Sequence, residues 1–437
     1  MNQTVRTAAR LEGAVALPAD KSIAHRAALL AALGDGRSTI TNYPSSADPQ
    51  STLSCLRQLG VDIEDDQGIL TVEGRGLDGL LAPTTPLDCG NSGTLMRLLA
   101  GILAGQSFDS ILLGDASLNS RPMARIADPL RRMNAAIDLN DGHAPIRISG
   151  GQSLKGIEYR LPVPSAQVKS CVLLAGLFAH GETTVVETVP SRDHTERMLG
   201  LDMFEMGQER YLTIREGHPI PARTWAVPRD FSAAAFFLVA GSIVPEGEIY
   251  LPGVGLNPSR SALLDVLRAM GADITLAYER EEGGEPLADL TVRPAALHGV
   301  TLSGPLIPNL IDEIPVLAVA AAYAEGRSEI RDAAELRVKE TDRIDAMVKN
   351  LRALGAIVEE FDDGLAIEGG PALHGATVES FEDHRIAMAM GVAGLVASGE
   401  TTILGAACAA VSFPDFWEAL ARLQGNDETN AGRDGDS

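Results

Sequence analysis

Six short polar segments, each standing directly before a long apolar run, carry the residues best equipped for chemistry. They are Lys21-Ser22 with His25-Arg26, Asn91-Ser92-Gly93-Thr94 with Arg97, Ser165-Ala166-Gln167 with Lys169, Asp230-Phe231-Ser232, Asp312-Glu313, and Asp383-His384-Arg385. If the apolar runs are helices, these segments are helix starts, whose unpaired N–H groups and partial positive charge favour anions. Serine and aspartate are also ordinary caps there, and that is the simpler reading of Asp230 and Ser232. Capping does not account for Lys21, Arg26 or Arg385, because a cation opposes the dipole at a helix start. Two more segments add charge. The loop Gly114–Met123 sets Arg121 before a proline, and Arg337–Arg343 packs Arg337, Lys339, Glu340, Asp342 and Arg343 together. Taken alone, the latter reads as a solvated helix face with charge pairs. Converging helix starts with lysine and arginine make a site for small polyanions.

The elements that must position these residues repeat. An apolar helix running into glycine and a β-like stretch occurs at Gly36, Gly105, Gly181, Gly247, Gly326 and Gly399, at spacings of 66 to 79 residues. A charged helix ending before a strand occurs at Gly60, Asn134, Gly200, Gly271, Gly355 and Gly425, at spacings of 66 to 84. Glycine or asparagine after such a helix is the left-handed cap. The two series alternate strictly, which makes six units of about 73 residues, each helix–strand–helix–strands. The first helices are apolar nearly all round (AALLAAL, SAAAFFLVAGSIV) and so belong inside, whereas the second helices look half-exposed. The expected fold class is therefore α/β, in two inside-out domains of three units each, with buried helices.

Composition narrows the partners. The chain has 437 residues, 45% hydrophobic, and a formal net charge of −23. That balance argues against nucleic acid and anionic membranes, and aromatics at 4% argue against base-stacking platforms. Cys55, Cys89, Cys171 and Cys408 are scattered, as in a reduced cytosolic chain. The longest apolar run, Ile386–Ala397, is twelve residues, short of the roughly 18 a membrane helix needs. The expectation is a soluble, cytoplasmic, acidic monomer with a disordered acidic tail at 426–437.

Seven segments in order resemble one family. Lys21-Ser22 with Arg26, GNSGTLMR, SLNSRPM, SAQVKS, RVKETDRI, DHRIAM and SFPDF are similar to the motifs of 5-enolpyruvylshikimate-3-phosphate synthases, from about Leu11 to Leu423. The resemblance implies a fold of two inside-out domains closing on substrate in the cleft between them. It also implies that the N-terminal strand returns to the second domain, so that residues 16–228 form the first domain and 1–15 with 229–425 the second. The implied reaction moves the enolpyruvyl group of phosphoenolpyruvate onto the 5-hydroxyl of shikimate 3-phosphate and releases phosphate, with no metal or organic cofactor. By similarity, Lys21, Ser22, Arg26, Ser165, Gln167, Ser191, Asp312 and Lys339 hold shikimate 3-phosphate. Lys21, Gly93, Arg121, Gln167, Arg343 and Arg385 hold phosphoenolpyruvate. Asp312 is the implied base for the 5-hydroxyl, Glu340 the proton donor to carbon, and Lys21 lies near the reacting oxygen. A glycine at 93 resembles the members of the family that glyphosate inhibits.

The chain departs from the family pattern at several positions. Val411 stands where some members have lysine, Ala166 where some have serine and Glu335 where some have asparagine, Arg229 where a glycine is usual, and Asn134 replaces the glycine of the second helix series. The nearest rival is the sister transferase acting on UDP-N-acetylglucosamine, which carries a cysteine in the loop corresponding to Asp115–Arg121; none of the four cysteines falls there. An inactive repeat scaffold would have lost Asp312, Glu340 or the arginines. An RNA 3′-phosphate cyclase would need a nucleophilic histidine such as His384, and the acidic, aromatic-poor chain suits it badly.

Overall fold

The computed structural model describes residues 1–425; the tail expected at 426–437 lies outside the described residues. The six apolar runs form the helices Lys21–Leu33, Gly93–Ala104, Ala166–Gly176, Phe231–Ile243, Ile314–Tyr323 and His384–Gly394. Apart from their first turns, these helices are buried almost throughout, and Phe231–Ile243 is buried at every position. A helix with no polar face has no stable place at a surface, so these pack inside and the sheets surround them.

The charged helices are Ala47–Gln58, Ala124–Arg132, His194–Leu199, Ala262–Ala269, Arg343–Ala353 and Phe416–Leu423. Ala47–Gln58 buries one face, with Thr52, Leu53, Cys55 and Leu56, whereas the short helix His194–Leu199 is buried at every position but Arg197. All six are followed by the left-handed residue read from the sequence, with φ between 66° and 104°, and Asn134 adopts φ 75° in the place of glycine. In the other series Gly105 is the exception: its φ is −90°, and a Cβ there would stand 2.2 Å from Phe178, so space rather than handedness requires the glycine.

Each helix pair serves a small sheet. In the second unit Leu87–Asp88 runs parallel to Ser110–Leu113, which pairs antiparallel with His143–Ser149, and that with Ala136–Asn140. The third and fifth units repeat the pattern. In all of these the parallel strands flank a buried helix in sequence. The first and fourth units exchange that strand. Arg10–Ala14, just before the first buried helix, pairs with Glu246–Gly255 of the fourth unit; Thr224–Ala226, just before the fourth, pairs with Asp35–Thr41 of the first. The sixth sheet has three strands, and the N-terminal strand Gln3–Arg6 forms its antiparallel edge on Glu400–Leu404.

The chain divides into two compact bodies. One comprises Ala19–Pro228 with the short piece Glu281–Glu285; the other comprises Met1–Pro18, Arg229–Arg280 and the chain from Pro286 on. Each has its own core, the first built around Leu29, Leu99 and Leu173 and the second around Phe237, Leu317 and Met390. No single helix among the described residues is long and apolar enough to cross a membrane.

Candidate active site

In the first body the candidate residues gather at the starts of its three buried helices. Asp20 caps the first helix by accepting from the Ile23 N–H at 2.9 Å. One residue later the Lys21 ammonium meets Asp48 at 2.8 Å while staying partly exposed. Arg26 is buried, and its guanidinium donates to Thr195 Oγ1 (2.7 Å), the Ser22 carbonyl (2.8 Å) and Ser170 Oγ (2.9 Å). Burial pushes its pKa down to about 10, against the pull of Glu196 and Asp20, so it remains cationic at neutral pH.

The second helix starts at Gly93 behind the cap Ser92. Two cations converge on Gly93: an ideal Cβ there would lie 2.9 Å from Arg97 Nη1 and 3.4 Å from Arg121 Nη1. Arg121 donates to Asn91 Oδ1 at 2.8 Å, and Arg97 donates to Gln167 Oε1. Gln167 in turn donates to Thr94 Oγ1 at 3.0 Å. The Gln167 amide is thus held at both ends, with its oxygen toward a pure donor. Ser165 caps the third helix through the Val168 N–H. Beneath Ser92, the imidazole of His25 bridges Thr52 Oγ1 (2.6 Å) and Ser92 Oγ (3.2 Å). Burial lowers the His25 pKa to about 3, so this link is neutral.

In the second body one guanidinium organises the chemistry. Arg343 is buried and donates to Asp383 (2.8 Å from Nε), Glu340 (2.6 Å from Nη2) and Asp312 (3.3 Å from Nη1). Burial alone would lower its pKa; Asp383, Glu340 and Asp312 outweigh burial and raise it, so the charge is permanent. Arg385 donates to the Asp312 carbonyl at 2.9 Å and approaches Asp312 Oδ2 at 3.8 Å. Arg260 also stands 3.8 Å from Asp312 Oδ2 and donates to Ser232 Oγ at 2.7 Å. Three guanidinium groups therefore surround the Asp312 carboxylate. Lys339 faces Glu335 at 3.4 Å.

The structure brings together Lys21, Ser22 and Arg26 on one helix start, Gly93, Arg121 and Gln167 around a second, and Asp312, Glu340, Arg343 and Arg385 in one cluster. Ser165 caps the helix that carries Gln167, and Ser191 lies in the segment after strand Glu182–Glu187. Asp230 is the cap read from the sequence, accepting from the Ser232 N–H at 2.8 Å. The charged run Arg337–Arg343 divides: Arg337 pairs with Asp342 and Glu360 in a surface network, whereas Arg343 turns inward. Sequence reasoning missed Arg260 and Asp48. Asp48 opens the charged helix Ala47–Gln58 and Arg260 stands just before the charged helix Ala262–Ala269, not before an apolar run, and each reaches its partner through the fold rather than along a motif. Among the described residues no three His, Cys, Asp or Glu side chains are grouped to hold a metal ion.

The six-unit arrangement is also that of a solved enolpyruvyl transferase, NikO from Streptomyces tendae, which matches with a TM-score of 0.77 over 96% of both chains at 21% identity; the fold is an enolpyruvyl transferase fold. An EPSP synthase from Acinetobacter baumannii matches more closely, with a TM-score of 0.88 at 44% identity over 97% of this chain and 98% of that one. The family model for EPSP synthase (3-phosphoshikimate 1-carboxyvinyltransferase) matches residues 5–420. A 3-phosphoshikimate 1-carboxyvinyltransferase of Salinibacter ruber is 65% identical over 97% of this chain and 99% of its own length, and one of Herpetosiphon aurantiacus is 52% identical over 97% and 100%. The chain belongs to the EPSP synthase family, and its activity is that family's carboxyvinyl transfer.

Proposed function

We propose that the chain joins phosphoenolpyruvate to the 5-hydroxyl of shikimate 3-phosphate, with the residue roles that follow. Lys21, Ser22, Arg26, Ser165, Gln167, Ser191 and Lys339 hold shikimate 3-phosphate, and Lys21, Gly93, Arg121, Gln167, Arg343 and Arg385 hold phosphoenolpyruvate. Each charge-assisted hydrogen bond to phosphate or carboxylate contributes about 1.5–3 kcal/mol. Asp312 takes the proton of the 5-hydroxyl as its oxygen attacks C2 of the enol, and Glu340 delivers a proton to the methylene carbon. The tetrahedral adduct then collapses: a methyl proton returns to Glu340, the double bond re-forms, and the C2–O bond to phosphate breaks. Holding both reactants in register lowers the barrier by about 7–11 kcal/mol. The partners are these two small molecules, with neither nucleic acid nor membrane, and the working form is a cytoplasmic monomer.

One observation supports the acid–base assignment above the others. Asp312 and Glu340 share the buried Arg343, so both carboxylates are held in fixed relation beside permanent positive charge. A positioned acid or base contributes about 10²–10⁴-fold. Asp312→Asn and Glu340→Gln should lower kcat by that order in a phosphate-release assay, with substrate binding retained. Wild-type turnover in either variant would remove that residue from the mechanism. Replacing shikimate 3-phosphate by UDP-N-acetylglucosamine should abolish phosphate release; sustained release with the sugar nucleotide would overturn the substrate assignment.

A further inference from the structure

Lys169 stands four residues beyond Ser165, on the helix that Ser165 caps, yet it is wholly buried, with 0% side-chain exposure. Its ammonium has three protons, and three oxygens take them: Glu187 Oε2 at 2.9 Å, Glu196 Oε1 at 2.7 Å and the Ser191 carbonyl at 3.2 Å. No proton is left for a substrate anion, so this lysine, unlike Lys21, is not part of the anion site. The three acceptors share a single stretch of chain. Glu187 ends the strand Glu182–Glu187, Glu196 lies in the helix His194–Leu199, and Ser191 sits between them where the backbone has no ladder or helix to hold it. The other oxygen of Glu187 accepts from both the Ser191 N–H (3.2 Å) and the Ser191 hydroxyl.

We infer that Lys169 and Glu187 are positioning residues for Ser191, setting the backbone and hydroxyl of that serine for the phosphate of shikimate 3-phosphate. The inference rests on the proposed role of Ser191. A buried ammonium between two buried carboxylates is costly to assemble and adds little net stability over an apolar replacement, whereas removing one partner strands charge. Its gain is geometric: one cation pins both ends and the middle of an irregular segment. When phosphate binds, only the hydroxyl proton of Ser191 has to turn from Glu187 to the ligand; the N–H bond to Glu187 keeps the backbone in place.

The test is calorimetric titration of the full-length protein with shikimate 3-phosphate alone, using Glu187→Gln, Ser191→Ala and the double variant, with Lys169→Met as a second probe. Glu187→Gln keeps the size of the side chain but replaces an acceptor by a donor facing the Ser191 N–H. It should weaken binding about tenfold, leave KM for phosphoenolpyruvate within about threefold, and add nothing in the Ser191→Ala background. A wild-type dissociation constant in Glu187→Gln, whatever its melting temperature, would reduce the cluster to a structural brace and overturn the inference. So would additive losses in the double variant. Tighter binding by Glu187→Gln would mean that Glu187 competes with the ligand for the Ser191 proton, which also contradicts it. If Ser191→Ala alone binds normally, both the proposed role of Ser191 and this inference fall; if only Glu187→Gln and Lys169→Met bind normally, the inference falls alone.

Discussion

Replacing Gly93 by alanine tests the anion site with the smallest possible change. Gly93 opens a helix with an unstrained backbone, and alanine is favoured over glycine in helices by up to about 1 kcal/mol, so folding should survive. The new methyl would stand 2.9 Å from Arg97 Nη1 and 3.4 Å from Arg121 Nη1. Both are tips of flexible side chains and can move, but Arg97 Nη1 is the atom that donates to Gln167 Oε1. Displacing it loosens one charge-assisted hydrogen bond, about 1.5–3 kcal/mol. At 1.4 kcal/mol per decade, KM for phosphoenolpyruvate should rise roughly 10- to 150-fold. The assay is phosphate release with phosphoenolpyruvate varied at saturating shikimate 3-phosphate, beside a thermal melt. Glyphosate should compete with phosphoenolpyruvate in the wild type and inhibit Gly93→Ala far less. An unchanged KM together with unchanged inhibition in a folded variant would refute the placement of Gly93 in the pocket.

Other outcomes follow from the same geometry. Val411→Ala should change KM for phosphoenolpyruvate by less than about threefold, under 1 kcal/mol, whereas Arg385→Ala should raise it far more; equal damage in steady-state kinetics would undo the assignment of the phosphate cations. Arg343→Met leaves Asp312, Glu340 and Asp383 without their shared cation, so urea titration should show a loss of about 3–5 kcal/mol along with lost turnover; retained activity would rule out Arg343 as organiser of the carboxylates. His25 titrates near 6.5 when unfolded and at about 3 when folded, so the unfolded chain binds the extra proton between those values and stability falls as pH drops through that window. By pH 5 the His25 contribution to that fall is about 2 kcal/mol, and His25→Gln should flatten the slope in pH-dependent denaturant titrations; an unaltered slope would assign the loss to other groups.

The repeat, the six buried helices and the left-handed caps were legible because each is a local pattern: apolar all round, or a glycine at a helix end. Asn134 was readable by the same logic. The helix-start segments pointed to Lys21, Arg26 and Arg385 because a cation there has no capping role. What the sequence hides is long-range. Arg260 reaches Asp312 across 52 residues, and Asp48 reaches Lys21 from a different helix. Lys169 looked like one more cation of the anion site, and only its burial between two glutamates reveals another task. The charged run Arg337–Arg343 could not be divided from sequence, since surface pairing by Arg337 and inward pairing by Arg343 use the same residue type.

The strand exchange has a consequence for how the chain is made. The strand Thr224–Ala226 completes the sheet of the first unit, pairing Thr224 with Thr39, 185 residues earlier. The strand Gln3–Arg6 must wait for Glu400–Leu404, with Arg6 and Glu400 separated by 394 residues. At about 5–20 residues per second, that strand spends roughly 20–80 s outside the ribosome without its partner. Unpaired strand edges invite aggregation, and charge is the usual guard. The stretch around Gln3–Arg6 carries Arg6, Arg10 and Glu12, all exposed even in the finished fold, so a strand made long before its partner is equipped to wait for it.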